Sequence, residues 1–340
     1  MKRHMGLDWA RAVGMLAVVL IHASSTFALR WSRFTLWGVT PALFLNQAAR
    51  FAVPLFFLLS GLGLGLGQKK FRLPDFWLGR LRRVGLPYLL WTLFYFLRNQ
   101  GGMAAFRDLA ALGRALLWGS ADSHLWFMAV LLQLYLLYPL LRLCMERLEG
   151  PTLTVSFLLS LFCTLVICLP LPLTGWWRPQ LWRLFPTWLF YFVLGTAVTP
   201  ERLEKLTAFA ERRALPLALL TLASALAYTC DAGKSGNLDS IKPQLFLYSP
   251  LCFLAILASW KWVGGIRGVG AISAFLARHS MTLYFSHIFF LGLLRRSAFF
   301  QRNAGTMLLM GLLVAALSAL AALLPEGAER WAKRTSNRAP

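Results

Sequence analysis

The chain has 340 residues, of which 58% are hydrophobic and 14% charged, and its formal net charge is +22. So small a charged fraction argues against an ordinary soluble domain, where roughly a quarter of residues carry charge. The basic excess sits in short gaps between apolar runs, which argues against a nucleic-acid-binding face and fits the Lys and Arg that orient a chain against anionic headgroups.

The first apolar run predicts a transmembrane helix over Ala10–Leu29. Asp8 and Arg11 interrupt its start, so an uncleaved span fits better than a signal peptide. Further spans are expected over Phe51–Leu66, Leu86–Leu97, Leu125–Leu143 and Leu153–Leu171. Leu184–Val198, Leu215–Thr229, Leu245–Trp260, Met281–Leu294 and Met307–Leu324 follow. The expected fold is therefore all-α, a polytopic membrane helical bundle of about ten transmembrane helices. Several spans are shorter than the ~20 residues a perpendicular helix needs, and such helices are tolerated where they line a protein cavity. Residues 1–325 are expected to form one transmembrane domain and 326–340 a basic cytoplasmic tail.

Taking the N-terminus as cytoplasmic, most basic residues collect on that side. They include Lys2 and Arg3, the cluster Lys69, Lys70, Arg72, Arg80, Arg82 and Arg83, and the later Arg142, Arg147, Arg202 and Arg338. Both termini are thus expected in the cytoplasm, in an inner or plasma membrane. Cys144, Cys163, Cys168, Cys230 and Cys252 lie in or beside apolar runs with no CxxC spacing, and read as free thiols without a disulfide framework or metal site.

Asp8, Arg11 and His22 are the residues the first span should not contain, because an ionisable group at membrane depth is costly and normally faces a cavity or a partner. Arg11 and His22 are about three turns apart, so both fall on nearly one face, separated by roughly 16 Å along the axis. Asp8 precedes Arg11 by one turn and is expected to pair with it as a structural partner. Singly, Arg11 also fits a snorkelling cation and His22 an interhelical hydrogen bond. Together they outline a channel with a cation at its rim and an imidazole, the side chain suited to proton transfer near neutral pH, deeper on the same face.

The opening GLDWARAVGMLAVVLIH resembles the start of the acyltransferase-3 family, whose R-x10-H pattern falls on Arg11 and His22. FAVPLFFLLSG, with Ser60 and Gly61, resembles the family's FFxxSG element, and RLRRVGLPY its RxxR-then-Pro element at Arg80, Arg83 and Pro87. HLWFMAVLLQLYLLYPLL, with His124, Trp126, Phe127 and Pro139, and SMTLYFSH, with Ser280, Tyr284 and His287, complete the series in the family's order.

The resemblance implies a membrane O-acyltransferase that takes acyl-CoA, acetyl-CoA foremost, from the cytoplasm and esterifies a glycan or lipid-linked acceptor. No metal and no nucleic acid enter; membrane lipids are the other partner. His22 is then expected as general base or as a transiently acylated nucleophile, with Arg11 at the channel mouth. Arg80, Arg83, Arg11 and Ser60 are expected on the CoA side, where forked guanidiniums suit phosphate. The same basic gap also serves as a topogenic loop.

His124, Trp126, Asp122, Tyr284 and His287 are expected around the acceptor. Asp122 also fits a helix N-cap, Trp126 an interfacial aromatic belt, and Tyr284 and His287 a structural hydrogen bond. The alternating Gly61, Gly63, Gly65 and Gly67 are expected at a close helix contact. A transporter or flippase of a lipid-linked glycan is the rival reading, since an interrupted helix and a buried Arg–His face also suit a substrate path.

Overall fold

A bilayer core offers no water to backbone groups, so an apolar chain of this kind must close its hydrogen bonds inside helices. The computed structural model, which describes residues 4–28, 39–67, 71–169 and 178–336, is all-α, with no strand among the described residues. In chain order the helices are α1 (Met5–Ser24), α2 (Pro41–Ala48), α3 (Ala52–Gly65), α4 (Leu73–Arg80) and α5 (Leu86–Asn99). Next come α6 (Leu109–Trp118), α7 (Trp126–Arg147), α8 (Glu149–Cys168), α9 (Leu189–Thr196) and α10 (Pro200–Arg212). The chain closes with α11 (Ala214–Ser235), α12 (Leu245–Val263), α13 (Val269–Leu294) and α14 (Ala304–Ser336).

Each expected span falls on one of these helices, with shifted ends. Among the described residues, seven segments are long and apolar enough to cross a bilayer: Met5–Ser24, Pro41–Gly65, Trp126–Arg147, Glu149–Cys168, Ala214–Ser235, Leu245–Val263 and Ala304–Leu323. Leu109–Trp118 and Phe185–Thr196 are shorter apolar helices. The chain is a multi-pass membrane protein. Lys2, Arg3, Lys69, Lys70 and Arg338 of the charge pattern, and the ends at Leu29 and Leu171, lie outside the described residues.

Burial sorts the spans. Only 22% of the α11 segment is buried, and it exposes Leu215 and Leu219, the surface a helix offers to lipid tails. The α1 segment is 61% buried, which makes it an interior element.

The chain divides into two compact units. The first comprises Met1–Val53, Lys205–Ser240 and Phe246–Pro340. In it α1 packs on α13, α14 and α2, α13 packs on α14, and α11 on α2. Thr40 starts α2 by accepting the Leu43 N–H at 3.0 Å, and Pro41 follows at the first helical position, where its missing N–H costs nothing. Beyond α2 the chain tightens into a 3-10 turn, Ala49–Phe51. The Ala48 and Phe51 carbonyls there accept hydrogen bonds from the Tyr248 hydroxyl at 2.7 Å and the Ser249 hydroxyl at 3.1 Å.

The second unit comprises Pro54–Glu204 and Ile241–Leu245. Its core is aromatic: Phe57 meets the rings of Phe127 at 4.3 Å and Trp188 at 5.2 Å. The glycines of the FFLLSG run explain the closest helix contact. A Cβ on Gly61 would lie 2.0 Å from the Phe192 carbonyl oxygen, and one on Gly65 would lie 2.5 Å from that of Thr196. From the other side, a Cβ on Gly195 would lie 2.1 Å from the Leu58 carbonyl oxygen. Only glycine lets α3 and α9 approach this closely.

Candidate functional site

The polar residues of α1 stand at its two ends, with an apolar stretch between. At the start, Arg11 Nη1 lies 3.7 Å from a carboxylate oxygen of Asp8, the pairing expected for residues one turn apart. Asp8 is buried and Arg11 partly exposed. Arg11, Met15, Val18 and His22 follow one face of the helix; Met15 and Val18 are buried, while Arg11 and His22 keep some exposure. Trp9 fastens the same end of α1 by donating its indole N–H to the Ser259 hydroxyl at 2.9 Å.

At the other end His22 meets His287 of α13, their ring centroids 5.1 Å apart. His287 is fully buried. Its Nδ1 lies 2.6 Å from the Tyr284 carbonyl oxygen, which can only accept, so Nδ1 carries the proton and Nε2 the lone pair. Tyr284 therefore holds His287 through its main chain, with its ring 5.9 Å away.

Two arginines outside the sequence motifs, Arg50 and Arg295, converge on this turn. Asn46 Nδ2 donates to the Ile21 carbonyl and to the Ser24 hydroxyl, each at 2.9 Å. Its side-chain oxygen accepts from Arg50 Nε at 3.3 Å and Nη2 at 3.1 Å. Arg50 Nη1 donates to the Ser240 hydroxyl at 3.2 Å. From α13's end, Arg295 donates to the His22 carbonyl, and to the Ser25 hydroxyl at 3.0 Å. Both guanidiniums lie within electrostatic reach of the His22 imidazole. The signal for Asn46 and Arg50 was their i, i+4 spacing in a polar break before an apolar run; for Arg295 it was a position two turns beyond His287.

The second unit holds the other expected residues in two groups. In the first, Arg80 stacks its guanidinium over Tyr135 at 4.8 Å and Phe76 at 5.3 Å. Arg142 stacks over Phe71 at 4.6 Å. Arg80 ends α4, and a π-helical turn, Leu81–Gly85, carries the exposed Arg82 and Arg83 into α5. Ser60 is partly buried and donates its hydroxyl to the Phe56 carbonyl at 2.7 Å, within its own helix.

In the second group Asp122 and the buried His124 stand 4.0 Å apart, with the Tyr95 ring 5.1 Å from the imidazole. Asp122 accepts from the Ser123 N–H at 2.6 Å and from Asn99 Nδ2 at 3.4 Å. It does not cap α7: Leu125 holds that position without a side-chain bond, because the chain bends at residues 121–124 before the helix begins. Trp126 is partly buried among Trp182 at 4.8 Å and Trp188 at 5.3 Å.

No curated protein and no solved structure matches the chain. One family model, described as an acyltransferase domain, matches residues 5–325, from the first turn of α1 into α14. That span takes in the Arg11–His22 helix, the glycine contact, the Arg80–Arg83 turn, the His124 corner and the His287 helix, and the chain belongs to the acyltransferase-3 family of membrane acyltransferases.

Proposed function

We propose that this acyltransferase moves an acyl group, acetyl by family resemblance, from cytoplasmic acyl-CoA to a hydroxyl of a glycan or lipid-linked acceptor, with His22 as general base. The observation that carries the proposal is the His22 imidazole itself: at the end of an otherwise interior helix, and paired with the buried His287 ring at 5.1 Å. A His22 ring nitrogen takes the proton of the acceptor hydroxyl as its oxygen bonds to the thioester carbon. The tetrahedral intermediate collapses, the C–S bond breaks, and the proton passes from the imidazolium to the departing thiolate.

His287, tautomer fixed by the Tyr284 carbonyl, keeps the neighbouring ring in place. Arg80 and Arg83 bind phosphates of CoA, and the aromatic faces of Phe71, Phe76 and Tyr135 beside Arg80 and Arg142 suit its adenine. Ser60 is assigned to the donor with them, and Arg11 to a further phosphate oxygen. Asp122, His124 and Trp126 face the acceptor, where a carboxylate, an imidazole and an aromatic plane suit a sugar ring.

The test is a purified His22→Ala protein assayed for CoA thiol release and for acyl-CoA binding. The expected result is donor affinity close to that of the unaltered protein, with transfer lost. Full transfer by that variant removes His22 from the mechanism. Arg11→Ala is expected to do the reverse, weakening donor binding.

A further inference from the structure

The last turn of α1 is gripped by two cations, and neither is needed for proton transfer as such. Arg50 is braced before any substrate arrives: Nε and Nη2 are committed to the Asn46 side-chain oxygen and Nη1 to the Ser240 hydroxyl. Asn46 is itself anchored on the Ile21 carbonyl and the Ser24 hydroxyl, the residues flanking His22. Arg295 reaches the same turn from α13 through the His22 carbonyl and the Ser25 hydroxyl. All these hydrogen bonds end on neutral oxygens. Asp239 is a carboxylate within electrostatic reach of Arg50. A guanidinium has five N–H groups, and among the described residues Arg50 commits three of them.

A partly buried guanidinium is costly to desolvate, and a neutral donor would satisfy Asn46 and Ser240 as well. What a neutral donor cannot do is stabilise negative charge beside an imidazole. Acyl transfer from a thioester creates such a charge when the acceptor oxygen adds to the carbonyl carbon: the carbonyl π electrons move onto oxygen, and they return when the C–S bond breaks. A fixed, partly dry donor acts on that charge without having to reorganise at the moment of reaction.

We propose that Arg50 and Arg295 form the oxyanion seat of the transfer reaction, holding the thioester carbonyl oxygen beside His22. The inference rests on His22 being the base at this turn. It assigns catalytic contact to two residues outside the Arg11–His22 pattern, and it gives Asn46 and Ser240 the role of positioning Arg50.

The test uses the purified full chain in lipid nanodiscs with acetyl-CoA as donor. The acceptors are water (slow hydrolysis) and a cell-envelope glycan digest separated into neutral and acidic pools. Arg50→Gln is expected to lower kcat with every acceptor by about 10²–10³-fold, the loss typical of one oxyanion donor, while donor affinity and acceptor KM stay within a few-fold. Arg50→Lys is expected to keep part of the rate, and added guanidinium to restore part of it to Arg50→Ala. Arg295→Gln is expected to follow the same pattern.

An unchanged kcat in Arg50→Gln overturns the proposal. So does a loss confined to KM for the acidic pool, which would make the arginines a seat for a carboxylate on the acceptor. A lowered melting temperature with no rescue by Lys or guanidinium overturns it too, leaving Arg50 a brace. The two assignments fail separately: His22→Ala inactive with Arg50→Gln active sinks the seat alone, and the converse sinks the base alone.

Discussion

Gly61 stands in the element that resembles FFxxSG, and its physical role can be tested by one methyl group. In Gly61→Ala the new Cβ would sit 2.0 Å from the Phe192 carbonyl oxygen, where real Cβ contacts stay beyond 3.0 Å. The obstacle is backbone, so no side chain can swing aside; α3 and α9 must separate by about an ångström at this crossing. Overpacking that forces backbone movement costs roughly 1–3 kcal/mol. At ~2–4 °C per kcal/mol for chains of a few hundred residues, the melting temperature in detergent should fall by several degrees.

Gly195→Ala meets the Leu58 carbonyl at 2.1 Å and should cost about as much; Gly65→Ala, at 2.5 Å from the Thr196 carbonyl, should cost less. Because Gly61 and Gly195 occupy one crossing, the double variant should lose less than the sum of the singles: once the helices have parted for one methyl, the second has room. Scanning fluorimetry of the purified variants measures all four values, and acetyl-CoA titration below the transition should show donor affinity close to that of the unaltered protein. A Gly61→Ala protein that melts normally refutes the packing argument. One that melts normally but binds donor weakly would make Gly61 part of the donor site.

Tyr284→Phe should keep transfer within a few-fold of normal, because His287 is held by the Tyr284 carbonyl and not by its hydroxyl; His287→Ala in the same kcat measurement should lose far more. Thr40→Ala removes the cap of α2 and should cost about 1 kcal/mol in thermal unfolding. Its effect should reach the rate as well, since α2 carries Asn46. Glu149→Gln breaks the exposed ion pair with Arg202, bonded through Nη2 at 3.1 Å, yet should change stability by less than about 1 kcal/mol, and by less still at high salt.

The spans were legible because a bilayer leaves one signal, the apolar run, and that signal survives without any tertiary information. Their ends were not. The sequence places the ninth span at Met281, whereas α13 begins at Val269, because Arg278 and His279 break the apolar run without breaking the helix. The helix α10 is not legible as a span because its charges, Glu201, Arg202, Glu204 and Lys205, have the pattern of a gap; it is amphipathic and polar overall. α6 is apolar but only 10 residues long. At the site, Asp8 and Arg11 were readable because one turn of helix joins them. Arg50 and Ser240 lie 190 positions apart, and Arg295 and His22 lie 273 apart, separations that no periodicity spans.

The position of these arginines also follows from how a helix ends. The last carbonyls of α1 have no partner within the helix and must find one outside it. Asn46 serves the Ile21 carbonyl, Arg295 and the Ser25 hydroxyl serve that of His22, and the Phe27 and Ala28 N–H groups, both at 3.0 Å, serve that of Ser24. The negative end of the helix dipole favours cations there as well. Asn46 and Arg295, which help close α1, are thus also residues of the proposed seat, so the same hydrogen bonds that terminate the helix would hold that seat in place. Deleting Asn46 would confound stability with activity, because it removes a carbonyl's partner and a guanidinium's brace together. Arg50→Lys separates them: it retains the charge that the dipole and the oxyanion feel and discards the fork that Asn46 and Ser240 require.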